Sequence, residues 1–105
     1  MLEISSVQLK SLIQEKSEVV LVDIREKHER VTGKVLGALH IPVRGLTFLL
    51  PKLDRNKYYV VICHRGTRSM LATKLMRSYG FQASSLNGGY CALEVECHNL
   101  VMPSF

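Results

Sequence analysis

The sequence has few cysteines and no long hydrophobic run, and each absence excludes a class of protein. Three cysteines without framework spacing argue against a disulfide-stabilised secreted fold and favour a reducing compartment. No apolar run approaches the roughly 20 residues that a membrane helix needs. Residues 1–6 also lack the basic start and apolar stretch of a signal peptide. We therefore expect a cytoplasmic protein with no membrane partner.

The chain also lacks a dense run of basic residues, although its net charge is +5. Its cationic residues are scattered along the sequence, as these positions illustrate: Lys10, Lys16, Arg30, Lys34, Arg44, Lys52, Arg55, Lys57, Lys74 and Arg77. Nucleic-acid-binding proteins usually cluster such residues, so we expect a solvated surface and no nucleic-acid partner. The positive charge would still attract a small anionic substrate.

What the sequence does contain is an alternation of strand and helix patterns. The length of 105 residues and the 47% apolar composition fit one domain, residues 1–105. Strands are predicted at Ile4, Val19–Asp23, 38–41, Tyr58–Ile62 and 81–86. Helices are predicted at 7–14, 24–31, 46–50, 69–79 and 90–96, with Ser5 or Ser6 capping the first. This alternation predicts an α/β fold with a small parallel sheet of about five strands and helices on both faces.

A thiol, several cationic residues and a glycine follow the strand at Tyr58–Ile62, in the order Cys63-His64-Arg65-Gly66-Thr67-Arg68-Ser69. The helix predicted next offers unpaired N–H groups and a partial positive charge at its N-terminus. Arg65 and Arg68 add full charges, and both effects favour a reactive thiolate. Gly66 permits the positive φ that a cradle of backbone N–H groups usually needs. We therefore predict that Cys63 is a nucleophile and not merely a buried structural cysteine.

Two further polar segments follow predicted strands, and for the first we prefer a structural interpretation. Asp23 is predicted to cap the segment that follows it, and Arg25 to form a helical ion pair with Glu29. Gly88 and Gly89 are predicted to form a tight turn, which could also present N–H groups to an anion. The carboxyl ends of parallel strands share one edge, so all these residues are expected near the thiol loop.

Four segments resemble, in order, the motifs of single-domain rhodaneses, a sulfurtransferase family. The resemblance as a whole covers the chain from about residue 4 to residue 96. The segments are Asp23-Ile24-Arg25 with Glu29, the stretch from Gly33 to Pro42, the loop 63–69, and Leu86-Asn87-Gly88-Gly89-Tyr90. Lys34 departs from the family pattern where histidine is common, and Leu93 lies near the usual tryptophan. His64 and Arg65 occupy variable positions of the loop that affect substrate preference.

The resemblance implies a rhodanese-like fold and a two-step sulfur transfer with Cys63 as the catalytic residue. The thiolate would take the outer sulfur of an anionic donor such as thiosulfate, release sulfite and form a persulfide. Cyanide or a thiol would then accept the sulfur, and a protein could be the donor or acceptor. The implied substrate-binding residues are His64, Arg65, Gly66, Thr67, Arg68 and Ser69; the implied supporting residues are Asp23, Arg25, Gly88 and Gly89.

The remaining thiols and histidines do not predict a metal site, because no Cys-x2-Cys pair is present. No metal or cofactor is expected. His64 is expected to line the pocket or to sense pH, and not to act as a general base. Cys91 could accept sulfur from Cys63 or form a regulatory disulfide with it, although packing roles are preferred for Cys91 and Cys97.

Two alternative functions stay open. Phosphatases and arsenate reductases of the related fold use a Cys-x5-Arg loop, whereas Cys63 and Arg68 are separated by one residue fewer. A tighter ring of N–H groups suits a single sulfur better than a tetrahedral oxyanion, so sulfur transfer is favoured. The other alternative is a non-enzymatic module that carries sulfur to a protein partner or docks on it.

Overall fold

The computed structural model describes residues 1–15 and 17–102; Lys16, one of the scattered basic residues, and residues 103–105 of the predicted domain lie outside the described residues. The strands of its main sheet are β1 (Glu3–Ile4), β2 (Val19–Asp23), β4 (Leu39–His40), β5 (Tyr58–Ile62) and β6 (Gln82–Leu86). They are hydrogen-bonded in the order β1-β6-β5-β2-β4, and every neighbouring pair is parallel. The predicted five-stranded parallel sheet is therefore confirmed.

The central strand β5 is apolar on both sides because a layer of helices covers each face of the sheet. Tyr59 and Val61 contribute to one hydrophobic cluster, while Val60 and Ile62 contribute to a second. Successive side chains of a strand point to opposite faces, so the unbroken apolar run predicted a strand buried on both sides.

In the described part of the chain, four α-helices cover the two faces: α1 (Ser6–Gln14) and α4 (Gly89–Glu96) on one, and α2 (Leu46–Leu49) and α3 (Thr67–Ser78) on the other. Short 3-10 helices occur at Lys27–Thr32, Val43–Gly45, Leu50–Lys52 and His98–Leu100. The prediction of helices on both faces is confirmed. None of the helices in residues 1–15 and 17–102 is long and apolar enough to cross a membrane.

The first helix begins where its capping residues predict. The Ser5 hydroxyl accepts the N–H of Gln8 at 3.0 Å, and the Gln8 side chain accepts the N–H of Ser5 at 2.8 Å. This reciprocal pair satisfies two N–H groups that a helix start would otherwise leave unpaired. Ser5 is therefore the cap of α1, and Ser6 is its first helical residue.

Among the predicted elements, the helix predicted at 24–31 differs most from the structure in its type and in where it begins. Its helical part is the 3-10 helix Lys27–Thr32. It begins later because Ile24 and Arg25 are buried, and because the Asp23 carboxylate accepts the Arg25 N–H at 3.1 Å and turns the chain. For the other elements whose observed bounds differ from the predicted ones, the difference at either end is one or two residues. The predicted bounds of these elements were Ile4, 7–14, 38–41, 46–50, 69–79, 81–86 and 90–96.

One pair of strands was not predicted at all. β3 (Lys34–Val35) and β7 (Val101–Met102) form a separate two-stranded antiparallel sheet, in which Val35 pairs with Val101. Two residues are too few to show an alternating pattern, and the pairing joins distant parts of the chain.

Candidate active site

Cys63 follows β5 directly and lies at the carboxyl edge of the sheet, where parallel α/β folds bind their ligands. Its side chain is only 1% exposed. The sulfur accepts the backbone N–H of Gly66 at 3.1 Å and that of Ser69 at 3.3 Å. Two N–H dipoles aimed at one sulfur stabilise negative charge on it. The loop thus forms the N–H cradle that the sequence predicted.

A serine pair completes the surroundings of the sulfur. The Ser69 hydroxyl lies 3.3 Å from the Cys63 sulfur and 2.7 Å from the Ser85 hydroxyl, and both serines are buried. Because a hydroxyl can donate and accept, Ser69 can accept a hydrogen bond from the thiol or donate one to the thiolate. Ser85 was not predicted as a site residue. The polar pair Ser84-Ser85 inside a buried strand was its only local signal, since buried polar groups need partners.

Gly66 shapes the cradle and starts the following helix. It is the N-cap of α3 and has φ of 101°, a left-handed conformation that favours glycine. A Cβ atom there would also lie 3.2 Å from the Gly88 nitrogen. Helix α3 therefore begins at Thr67, two residues before the predicted start, and directs its N-terminal N–H groups toward Cys63.

Arg68 is held by a carboxylate and does not stand free beside the sulfur. Its two terminal nitrogens donate to the two carboxylate oxygens of Glu29, each at 2.6 Å. These bonds to Arg68 lower the pKa of Glu29 to about 2, and the same bonds raise the pKa of Arg68. The predicted ion pair between Arg25 and Glu29 is therefore wrong, because the loop, 39 positions along the chain, supplies the partner of Glu29.

Asp23 and Arg25 instead form a buried ion pair with each other. Arg25 donates to Asp23 through Nε at 3.0 Å and through Nη2 at 2.8 Å, and both residues are at most 1% exposed. Arg25 also donates to the Gly33 carbonyl at 2.9 Å, and its guanidinium lies 4.1 Å from the centre of the Tyr90 ring. The 3-10 helix that follows has Glu26 and not Asp23 as its N-cap. The pair joins β2, the turn before β3 and helix α4.

Gly88 and Gly89 bring helix α4 against the backbone of the thiol loop. The N–H of Tyr90 donates to the Cys63 carbonyl at 2.8 Å, and the N–H of Cys91 donates to the His64 carbonyl at 3.1 Å. A Cβ atom at Gly89 would lie 2.7 Å from the carbonyl carbon of His64, closer than real contacts allow. The first N–H groups of α4 thus hold the loop carbonyls.

The other thiols lie outside the cradle. The Cys91 sulfur is 3.5 Å from Nε2 of His64, which is half-buried. Cys97 is 6% exposed and its sulfur donates to the Ser6 carbonyl at 3.5 Å; burial raises the pKa of the Cys97 thiol. Within residues 1–15 and 17–102, no three His, Cys, Asp or Glu side chains are grouped to hold a metal ion.

Of the predicted loop residues, Arg65 and Thr67 are exposed, whereas Ser69 is fully buried. The loop therefore presents Arg65 to solvent as its outer cation, while Arg68 is engaged with Glu29. Together these features define an α/β protein in which a buried cysteine sits in a loop of N–H donors between a parallel strand and a helix, an arrangement that favours negative charge on its sulfur.

The comparisons with known proteins identify the family. A family model described as the rhodanese-like domain matches residues 5–95, and the chain belongs to this family. The chain is 37% identical over 94 residues to the putative sulfurtransferase YtwF of Bacillus subtilis, covering 90% of this chain and 91% of that protein. It is 31% identical over 86 residues to the thiosulfate sulfurtransferase GlpE of Shewanella oneidensis, covering 81% and 84%.

The fold has close structural counterparts as well. A crystal structure of a rhodanese-like domain protein from Staphylococcus aureus superposes with a TM-score of 0.87 at 26% sequence identity. The superposition covers all of both chains. The resemblance inferred from the sequence motifs is therefore confirmed.

Proposed function

We propose that this protein is a sulfurtransferase that moves a sulfane sulfur from a donor such as thiosulfate to cyanide or a thiol through a Cys63 persulfide. The observation that carries the proposal is the sulfur of Cys63 itself, which two backbone N–H groups and the Ser69 hydroxyl surround. Relatives named as sulfurtransferases support the reaction class.

In the first step, the Cys63 thiolate attacks the outer sulfur of thiosulfate. A new sulfur–sulfur bond forms at Cys63, the sulfur–sulfur bond of thiosulfate breaks, and its electron pair leaves with sulfite. Exposed Arg65 is placed to attract the anionic donor, since guanidinium groups bind oxyanions by paired hydrogen bonds. Arg68 is less suited to this task because both its terminal nitrogens are bound to Glu29.

In the second step, an acceptor attacks the outer sulfur of the persulfide. With cyanide, the products are thiocyanate and the Cys63 thiolate, so the starting state returns. The N–H groups of Gly66 and Ser69 stabilise the thiolate both as nucleophile and as leaving group. The covalent intermediate divides one difficult transfer into two easier ones.

The experiment that tests this function measures thiocyanate formation from thiosulfate and cyanide by the wild type and by Cys63→Ala. Turnover by the wild type that the substitution abolishes is the expected result. Sulfur loading without turnover would instead identify the non-enzymatic carrier. Hydrolysis of p-nitrophenyl phosphate or reduction of arsenate, without sulfur loading, would overturn the proposal in favour of oxyanion chemistry.

A further inference from the structure

A groove along the 3-10 helix Lys27–Thr32 brings together basic residues that are scattered in the sequence. The groove has a volume of about 620 Å³ and is lined by cationic or ionisable side chains from three segments: Lys27, His28, Arg30, Lys34 and Arg44. We call it the basic groove. Glu26 and Val31 also line it.

Glu26, the carboxylate that lines the basic groove, does not neutralise the positive charge of the other lining residues. Glu26 lies 3.2 Å from Arg44 and is thereby already engaged. Arg30 Nε is 3.7 Å from an Asp23 oxygen that Arg25 also binds, and this buried nitrogen has no hydrogen-bond acceptor within the described residues. An anion that entered the groove would meet cations that lack full compensation.

An ion pair connects one wall of the basic groove to the thiol loop. Its residues His28 and Arg30 flank Glu29 on the 3-10 helix Lys27–Thr32, and Glu29 binds Arg68 of the loop at 2.6 Å. The helix follows β2 at the same carboxyl edge of the sheet that carries Cys63 after β5. One ion pair therefore links the wall of the groove to the loop around the sulfur.

The size of the basic groove indicates an occupant larger than thiosulfate. Its volume falls in the range of sites for ligands of many atoms, roughly 300–1,000 Å³. Lys27, His28 and Arg44 are exposed, so the groove is open to a chain that passes across it. Several separated cations on an open surface fit a segment with several carboxylates better than a single small anion.

We propose that the basic groove docks an acidic polypeptide segment of a protein thiol that accepts sulfur from Cys63. This inference rests on the persulfide chemistry proposed above. The thiolate of the partner attacks the outer sulfur of the Cys63 persulfide and forms a new persulfide on the partner. The bond between Cys63 and that sulfur breaks, and its electron pair restores the Cys63 thiolate.

The test compares three synthetic peptides of equal length, each with one cysteine, flanked by glutamates, serines or lysines. Transfer from thiosulfate-loaded protein to each peptide is followed by mass spectrometry. Because each exposed ion pair contributes modestly, we expect kcat/KM for the acidic peptide to exceed that for the neutral one by about 5- to 20-fold. The lysine peptide should be the poorest acceptor.

Two pairs of substitutions distinguish the basic groove from the overall charge of the molecule. Lys27→Glu with Lys34→Glu should remove the acidic-to-neutral preference, and the milder Lys27→Gln with Lys34→Gln should reduce it. The matched control, Lys52→Glu with Lys57→Glu, makes the same change in net charge in the segment that leads into the amino end of β5. This control should keep the preference.

Equal rates for the three peptides, or a preference that survives the Lys27 and Lys34 substitutions, would overturn the docking inference. Binding of a fluorescent acidic peptide with serine in place of cysteine is measured separately, so a failure of docking is distinguishable from a failure of sulfur transfer. Tighter binding of a single-stranded oligonucleotide than of this peptide at 150 mM salt, roughly physiological ionic strength, would also overturn the assignment to an acidic protein.

Discussion

The sulfur of Cys63 has two kinds of hydrogen-bond partner: the backbone N–H groups of its loop donate to it, and as a thiol it donates to the Ser69 hydroxyl. The N–H groups of Gly66 and Ser69 are fixed by the loop and by the start of α3. The Ser69 hydroxyl can change its role between thiol and thiolate because Ser85 is its second partner. Most substitutions leave the backbone N–H donors in place. Mutagenesis can therefore isolate only the contribution of the Ser69 hydroxyl to the stability of the thiolate.

Ser69→Ala should lower kcat/KM for thiosulfate by about tenfold, because one hydrogen bond to a charged sulfur is lost while the backbone N–H remains. Thr73→Val is the matched control: Thr73 lies one turn along α3, and its buried hydroxyl has no partner within the described residues. Steady-state kinetics should therefore show little change for Thr73→Val. Equal losses in the two variants would indicate a general effect on α3.

At the scale of elements, two contacts outside the loop hold the cradle in place. Helix α4 approaches closely enough for the N–H of Tyr90 to bind the Cys63 carbonyl, which the absence of a side chain at Gly89 permits. The 3-10 helix Lys27–Thr32 supplies Glu29 to Arg68. Each contact can be tested by a single substitution.

Gly89→Ala should destabilise the protein and impair sulfur loading, because the new Cβ would collide with the loop backbone at His64. Gly37→Ala is the matched control, since Gly37 also has a positive φ, of 73°, but nothing lies within 4 Å of its added Cβ. We expect about 1 kcal/mol of destabilisation at Gly37 from strain alone, and at least about 2 kcal/mol at Gly89. Urea unfolding measures both; equal losses would contradict the close approach of α4.

The Glu29–Arg68 pair should give a defined pH dependence of stability. The folded pKa of Glu29 is about 2, below its ordinary value of 4.5, so its contribution is fully present above pH 4.5 and is lost as the pH falls through 2. Glu29→Gln should be less stable than the wild type by about 1–3 kcal/mol at pH 7. This difference, measured by urea unfolding, should shrink between pH 4.5 and pH 2.5. A difference that stays constant down to pH 2.5 would contradict the assigned pairing.

At the scale of the whole molecule, the sheet separates two hydrophobic clusters, and the site lies at the carboxyl ends of the strands. Cys63 belongs to the cluster under α3, whereas Tyr90 belongs to the cluster under α4. The N–H of Tyr90 donates to the Cys63 carbonyl, so this hydrogen bond connects a residue of one cluster to a residue of the other. The buried pair of Asp23 and Arg25 reinforces this junction through the Tyr90 ring.

The sequence was sufficient to predict features that depend on neighbouring residues. The apolar run of β5, the thiol after it, Gly66 and the start of a helix are contiguous, so local chemistry predicts the sheet and the cradle. The partners of Arg68 and Ser69 lie 39 and 16 positions away along the chain. Helical spacing predicted Glu29 as the ion-pair partner of Arg25. The observed partner is Asp23, because the Arg25 guanidinium is buried and a buried guanidinium needs a close carboxylate.

The most direct test of the central claim is the intact mass of the protein after exposure to thiosulfate alone. Persulfide formation at Cys63 predicts a gain of one sulfur, about 32 Da, that cyanide removes and that Cys63→Ala lacks. The Cys91→Ala variant should retain the gain, because the Cys91 sulfur contacts His64 outside the cradle. A wild-type protein that gains no sulfur, or a gain that survives Cys63→Ala, would contradict a persulfide at Cys63.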